Sequence, residues 1–157
     1  MFNVLKNIIS KYDLPILFSL ILLPLASITV LPFYIYYNGV VWQEPVIFII
    51  SWFLAGMGIT IGYHRLFAHR SFKAHPIVQF VAVIFGSAAL QNSVIKWTSD
   101  HRVHHRKLDK EEDPYSITKG FFHAHIGWVL SSIPAQINDV KDLQKNSIVN
   151  FQHKYYW

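Results

Sequence analysis

Two long stretches without a charged residue dominate the N-terminal half of the chain. Residues 14–43 contain no Asp, Glu, Lys or Arg, and neither do residues 45–63. A helix that crosses a bilayer needs about 20 mostly apolar residues. The pattern therefore predicts two transmembrane helices, at 14–37 and 45–63, that form a hairpin. The alternatives are buried helices of a soluble protein and a signal peptide, although the first stretch is far longer than a signal-peptide core.

Small residues and a third apolar stretch indicate how the chain continues. The second predicted span carries Ala55, Gly56, Gly58 and Gly62, which would let another helix approach closely in lipid. Residues 74–95 again lack formal charge. If this stretch crossed the membrane, the histidines before it and the histidines after it would lie on opposite sides of the bilayer. We therefore predict a helix that lies at the interface or re-enters the membrane shallowly.

The remaining sequence predicts shorter helices outside the lipid. The segment "GFFHAHIGWVL" indicates an interfacial helix with aromatic anchors, and "DVKDLQKNSIVNFQHKYYW" a short amphipathic helix. The predicted fold class is all-α, an integral membrane hairpin followed by interfacial or cytoplasmic helices at 64–157. No internal repeat or flexible linker divides the chain, so residues 1–157 are treated as one domain.

The distribution of basic residues predicts which side of the membrane the ends of the hairpin face and which kinds of partner the protein could bind. Of the fourteen Lys and Arg residues, twelve follow His64, Lys6 and Lys11 precede the first span, and the loop between the spans carries only Glu44. Basic residues favour the cytoplasmic side, so both flanks of the hairpin are predicted to face the cytoplasm. The net charge of +5 suits anionic headgroups or an acidic partner, and no nucleic-acid motif accompanies it.

Five of the nine histidines fall into two groups. His101, His104 and His105 have helical spacing that places them on one face. His64 and His69 are five positions apart, which is roughly 140° around an ideal α-helix. This second pair converges only if the helix ends, tightens or bulges there.

The composition around these histidines points to a metal site. Close imidazoles repel when protonated, and flanking arginines disfavour protonation further, so the histidines should be neutral at pH 7 and available as ligands for a divalent transition metal. The chain has no cysteine, so nitrogen and oxygen must hold the ion. Five histidines exceed the four ligands of a structural zinc site and indicate two metals or higher coordination. The zinc-protease signature H-E-x-x-H is absent. Surface histidines without a ligand are the alternative.

The segments "GITIGYHRLFAHRSF" and "WTSDHRVHHRKLDKEEDP" resemble the first two histidine boxes, H-x4-H and H-x2-H-H, of the integral-membrane fatty acyl desaturases. The similarity is greatest to the delta-9 acyl-CoA type, including the stearoyl-CoA desaturases. It extends through "GFFHAHIGW" and "VNFQHKYYW" and covers roughly residues 40–157.

The resemblance implies an enzyme that inserts a cis double bond into a saturated fatty acyl-CoA or acyl-lipid chain while it reduces O2 to water. Electrons come from a ferredoxin or cytochrome, ultimately from NAD(P)H. A non-haem di-iron centre is implied, and no catalytic residue beyond its ligands. The matching metal ligands are His64, His69, His101, His104 and His105. The residues that match positions lining the acyl tunnel or the headgroup site are Gln91, Asn92, Trp97 and Asp100.

The sequence departs from the family pattern in two places. Many relatives read D-P-H where this chain has Asp113-Pro114-Tyr115, a change expected to alter surface contacts and to remove no ligand. The family also has a third box, H-x2-H-H, which the 157 residues lack. We therefore expect a partial desaturase domain that is inactive by itself.

The other histidines have different spacings, and two further functions are compatible with the boxes. His75 and His153 are expected to be ordinary surface or interfacial residues, and His123 and His125 to be candidates for hydrogen bonds to ligands. A related membrane di-iron hydroxylase or alkane monooxygenase uses similar boxes. A non-enzymatic membrane metal-binding protein is the alternative of a different class.

Overall fold

The computed structural model of the protein describes residues 14–130, 137 and 139–156. Residues 1–13, 131–136, 138 and 157 lie outside the described part, and the orientation prediction rests partly on two of them, Lys6 and Lys11. All regular secondary structure among the described residues is helical. This confirms the predicted all-α class.

The first two helices correspond to the two predicted membrane spans. Helix α1 spans Leu14–Asn38 and helix α2 spans Gln43–Ala68, and both are long and apolar enough to cross a membrane. The Tyr34 hydroxyl donates to Glu44 Oε1 over 2.8 Å and thereby joins the two helices beside their short loop. Helix α2 continues beyond the predicted end at residue 63. Its last part, Gly58–Ala68, is a π-helix that includes His64.

Helix α3, Pro76–Ala88, packs antiparallel against the second half of α2. A Cβ atom on Gly58 would lie 2.2 Å from the backbone nitrogen of Gly86, and one on Gly62 would lie 2.9 Å from Ala82 Cβ. The absence of these side chains therefore permits the close approach. The prediction that this helix lies at the interface or re-enters the membrane shallowly stays a prediction.

The apolar stretch 74–95 is not one continuous helix. Helix α3 ends at Ala88, and Leu90 and Asn92 then adopt left-handed backbone conformations with φ of 55° and 81°. Ser93 caps the start of helix α4, because its Oγ accepts from the backbone N–H of Lys96 over 3.3 Å. The serine cap and the left-handed turn divide the stretch, and α4 runs over Val94–Lys107.

Shorter elements follow α4. They are a 3-10 turn at Ile117–Lys119, a π turn at His123–Gly127, helix α5 at Lys141–Gln144 and helix α6 at Ser147–Lys154. The C-terminal stretch therefore forms two helices where one was predicted. Asn146 lies between them and accepts from the backbone N–H of Ile148 over 3.0 Å, which starts α6.

A buried hydrogen-bond network joins α6 to the three helices that carry or support the histidines. Gln152 donates through Nε2 to the Tyr63 hydroxyl over 2.9 Å and to Ser87 Oγ over 3.0 Å. Its Oε1 accepts from the backbone N–H of Val94 over 3.1 Å. Because Tyr63 is fully buried and Gln152 nearly so, the network fixes the end of α2 against the start of α4.

Candidate metal centre

The first histidine pair is brought together by the winding of its helix. The backbone N–H of His69 donates to the carbonyl of His64 over 2.9 Å, which is the five-residue step of a π-helix. The two Nε2 atoms consequently lie 3.0 Å apart. The prediction that these residues converge only where the helix departs from α geometry is confirmed.

The second pair uses an ordinary α-helical turn and meets the first. His101 and His105 are four residues apart on α4, and their Nε2 atoms lie 3.1 Å apart. The Nε2 atom of His69 lies 3.0 Å from that of His101. One ligand nitrogen from each of the four residues lies within 4.8 Å of the others. We call His64, His69, His101 and His105 the four-histidine cluster.

This donor set fits a divalent transition metal. Imidazole nitrogens bind zinc, copper, iron and nickel, and separations of this size suit one shared ion. His69, His101 and His105 help to line an open cleft of about 320 Å³. Through this cleft a metal ion could reach the cluster.

Electrostatics keep members of the cluster neutral, as a ligand must be. Burial first, and then the neighbouring imidazoles, lower the pKa of His101 to about 3. Burial, His64, His105 and finally Arg102 also lower the pKa of His69 below its ordinary value. The predicted neutrality is confirmed for these two residues, but burial is its largest cause rather than the flanking arginines.

His104, the fifth predicted ligand, lies outside the four-histidine cluster. Its Nδ1–H donates to the carboxylate of Asp113, with distances of 3.0 and 2.9 Å to the two oxygens. Its ring centroid is 5.6 Å from that of His105. The hydrogen bond leaves the lone pair on Nε2, which is the arrangement that carboxylate-paired metal ligands use. A ligand role for His104 therefore stays a prediction.

Tyr115 lies beside the cluster, which the sequence did not indicate. Its hydroxyl is 3.0 Å from Nδ1 of His101, and its ring lies 4.2 Å from that of His104 and 4.6 Å from that of Trp128. The departure from D-P-H therefore changes contacts beside the cluster as well as at the surface, and the expectation that it removes no ligand stays a prediction. For Nε2 of His101 to offer a lone pair, Nδ1 must donate to the Tyr115 oxygen.

The four residues predicted to bind substrate meet at one place. A small cavity of about 20 Å³ is lined by Gln91, Asn92, Lys96, Trp97, Asp100, Trp128 and Val129. That volume holds about one water molecule. Trp97 connects the cavity to the cluster, because its indole N–H donates to Gln91 Oε1 over 3.2 Å and its ring stacks on that of His101 at 4.8 Å. Burial raises the pKa of Asp100 to about 6 against the opposing charge of Lys96.

The remaining histidines make structural contacts away from the cluster. His75 Nδ1 accepts from the backbone N–H at the start of α3, and His153 pairs with Ser93 Oγ over 2.7 Å. His123 Nε2–H donates to the carbonyl of Pro114 over 2.8 Å, next to Asp113. His125 stacks on Phe121 at 5.6 Å. His123 thus supports the loop whose side chains hold His101 and His104.

Comparisons with known proteins agree with the geometry. No family model matches the chain. It is 39% identical over 128 residues to the acyl-CoA Delta(11) desaturase of Choristoneura rosaceana, covering 78% of this chain and 38% of that protein. It is 41% identical over 111 residues to the probable acyl-CoA desaturase of Schizosaccharomyces pombe, covering 69% and 23%.

A third relative is the Delta(9)-fatty-acid desaturase fat-6 of Caenorhabditis elegans, 38% identical over 122 residues, with 74% of this chain and 36% of that protein covered. The aligned regions thus include most of this chain and between 23% and 38% of these three curated relatives. On this shared region, the chain belongs to the acyl-CoA desaturase family.

Proposed function

We propose that residues 1–157 form part of a membrane fatty acyl desaturase domain that inserts a cis double bond into a saturated acyl chain. The observation that carries the proposal is the convergence of the four-histidine cluster, whose ligand nitrogens lie within 4.8 Å of one another. The similarity to desaturases named for Delta(9) and Delta(11) activity supports it. We assign the delta-9 type, with acyl-CoA as the substrate.

Iron is the metal we propose, as part of a non-haem di-iron centre. The four-histidine cluster would hold one ion, and we propose His104, which lies on α4, as a further ligand. Iron bound in this way supplies the activation of O2 that removal of two hydrogens from adjacent carbons requires. Asp113 and Tyr115 hold the outer nitrogens of His104 and His101, which fixes the direction of their rings.

Trp97 and the residues around it would position the acyl chain. Its ring stacks on His101, so a chain laid against the indole would bring a C–H bond close to the metal. Which bond comes close would decide which carbons are attacked. Gln91, Asn92 and Asp100 line the same cavity and provide polar groups for the thioester end. The cavity must widen when substrate enters.

The overall reaction needs an external electron donor. Removing two hydrogens from the acyl chain supplies two of the four electrons that reduce O2 to two water molecules. A ferredoxin or cytochrome supplies the other two, ultimately from NAD(P)H. We propose that α1 and α2 belong to a multi-pass protein and that the four-histidine cluster faces the cytoplasm, where such donors occur. The two long apolar helices support the membrane location, and the basic residues that follow His64 support the cytoplasmic side.

The metal centre is tested with the purified chain in detergent micelles. Ferrous iron is added without oxygen, and bound iron is measured after desalting. We expect the chain to bind iron and His69→Ala to weaken binding by more than about 100-fold, because the loss of a ligand exceeds that of a supporting residue. His125→Ala, which removes an imidazole from outside the cluster, is the matched control and should bind as the wild type does.

Failure to bind iron, or equal binding by both variants, would refute the metal centre. The chemistry is tested separately on the protein encoded by the whole reading frame that contains residues 1–157. It is given a saturated acyl-CoA, O2 and a reductant, and the products are identified by mass spectrometry. A new double bond supports the desaturase proposal. A hydroxylated chain would instead assign the protein to the related hydroxylases.

A further inference from the structure

Arg102 stands between the ligands of α4, and its guanidinium is fully engaged. A guanidinium has five N–H donors, and all five of them have acceptors here. The side chain is only 11% exposed. The acceptors are the carbonyls of Phe67 at 2.9 Å, Ala68 at 3.1 Å and Asp139 at 2.5 Å, and the two carboxylate oxygens of Asp142 at 2.9 and 3.0 Å.

Two of these acceptors belong to the end of helix α2. The last carbonyls of a helix lack partners within the helix and carry its negative dipole end, so a cation there is favourable. Ala68 directly precedes His69, and Arg102 directly follows His101. The guanidinium therefore connects the backbone next to one ligand with the backbone next to the other. The Nε2 atoms of those ligands are 3.0 Å apart.

We propose that Arg102 is a positioning residue that sets the separation between the His64–His69 pair and the His101–His105 pair. This inference rests on the proposed metal centre. The guanidinium does not touch the metal in this role. It fixes the end of the π segment of α2 beside the turn of α4 that carries His101.

Asp142, which belongs to a third segment of the chain, holds the Arg102 guanidinium in place. Its carboxylate accepts two parallel hydrogen bonds from Arg102, and Arg70 Nε lies 3.0 Å from one of its oxygens. A two-point pairing of this kind fixes the plane of the guanidinium as well as its place. Lysine has three donors and no planar fork, so it cannot reproduce these contacts. Arginine is therefore required at position 102 for more than its charge.

The test measures binding of Co(II) chloride, a spectroscopic substitute for ferrous iron, to the purified chain and its variants. Arg102→Lys should weaken Co(II) binding by about 10- to 100-fold and change the visible absorption of the bound ion. Far-UV circular dichroism should be unchanged. Arg106→Lys is the matched control, because Arg106 lies on the same helix, is half exposed and pairs with Asp139 through a single nitrogen. It should keep wild-type affinity and absorption.

Three outcomes would overturn the proposal. Arg102→Lys could bind Co(II) with wild-type affinity and absorption, or Arg106→Lys could lose as much as Arg102→Lys does. In both cases the metal centre stands and the positioning role fails. If the wild-type chain binds no Co(II), the proposed metal centre fails as well. A changed absorption spectrum with unchanged helicity supports positioning, since a general loss of structure would lower both.

Should Arg102→Lys fail to fold, Asp142→Asn decides the matter. This variant keeps the guanidinium and its contacts with the α2 carbonyls but loses the two-point charged partner. We expect a smaller loss of Co(II) affinity, about threefold to tenfold, with a shifted absorption band. Wild-type affinity and absorption in Asp142→Asn would overturn the proposal in that case.

Discussion

The Nε2 atoms of His69 and His101 lie 3.0 Å apart, although 32 positions separate the two residues in the chain. Each reaches this point from a helix with its own winding. The π segment of α2 aligns residues five apart, and α4 aligns residues four apart. The different spacings of the two histidine boxes are therefore matched to two different helix geometries that meet at one cluster.

Asp113 is predicted to be a main support of the second box. Its side chain is fully buried and accepts from His104 Nδ1–H and from the backbone N–H groups of Asp109 and Tyr115. Asp113→Ala leaves these donors without an acceptor and should lower the free energy of unfolding by about 3 kcal/mol. Denaturant unfolding in detergent micelles, followed by circular dichroism, measures the change.

The control for this prediction is Glu112→Ala. Glu112 is the adjacent carboxylate in sequence, and it pairs with Lys107 on the surface, where both side chains are well exposed. Exposed ion pairs contribute little, so we expect no measurable change in stability. Equal destabilisation by the two substitutions would show that Asp113 has no special structural role.

Tyr115→Phe is expected to separate metal affinity from stability. The substitution keeps the ring between His104 and Trp128 and removes only the hydroxyl that lies 3.0 Å from Nδ1 of His101. His101 then loses the partner that fixes its ring, so Co(II) affinity should fall about tenfold while the unfolding midpoint changes little. Tyr155→Phe, at a mostly exposed ring, is the control. Unchanged affinity in Tyr115→Phe would contradict this interpretation.

The pH dependence of stability should report on the carboxylate of Asp142. Burial by itself would raise its pKa, but the hydrogen bonds and charge of Arg102, together with the charge of Arg70, lower it below the ordinary 3.8. A lowered folded-state pKa stabilises the protein above the unfolded value. This contribution disappears as the pH falls through the folded value.

We therefore expect Asp142→Asn to be less stable than the wild type at about pH 6, with the difference narrowing below about pH 4. Unfolding of both proteins is measured across this range, and the difference between them isolates Asp142, because all other ionisable groups are the same in both. A difference that stays constant or widens toward low pH would show that the carboxylate charge is not what Arg102 and Arg70 stabilise.

The sequence predicted the features that depend on local pattern. Charge-free length predicted the two apolar helices, since a bilayer requires that length. Helical spacing predicted that His101, His104 and His105 share one face, and two of the three, His101 and His105, join the cluster. For His64 and His69, the sequence predicted only that the two side chains would converge if the helix ended, tightened or bulged between them. Whether a helix winds as π depends on its packing, and here the winding begins at Gly58, where α3 comes close.

The sequence pattern does not predict side-chain contacts between segments that are far apart in the chain. The sequence indicates Arg102 only as one of the flanking arginines that disfavour protonation, but its side chain binds Asp142, 40 positions later. Asp113 and Tyr115 belong to a loop that looks like an ordinary acidic surface segment, and their partners become visible only when the loop folds back over α4. Side chains that recognise one another across such separations leave no periodic signal.

The close packing of α2 against α3 predicts opposite results for two glycines of the same helix. A Cβ at position 58 would lie 2.2 Å from the nitrogen of Gly86 and 2.5 Å from the carbonyl carbon of Phe85, and backbone atoms cannot rotate away. Gly58→Ala should therefore lower the free energy of unfolding by about 1–3 kcal/mol. Alanine favours helices over glycine by about 1 kcal/mol, which is too little to offset the clash.

Gly56 is the matched control, because a Cβ there meets nothing within 4 Å. Gly56→Ala should leave stability unchanged or raise it by up to about 1 kcal/mol, since only the helix preference acts. Denaturant unfolding in micelles measures both variants, and Co(II) binding shows whether a displaced α3 also disturbs the π segment that aligns His64 with His69. If Gly58→Ala were as stable as Gly56→Ala, α3 could not pack as closely on α2 as the structure places it.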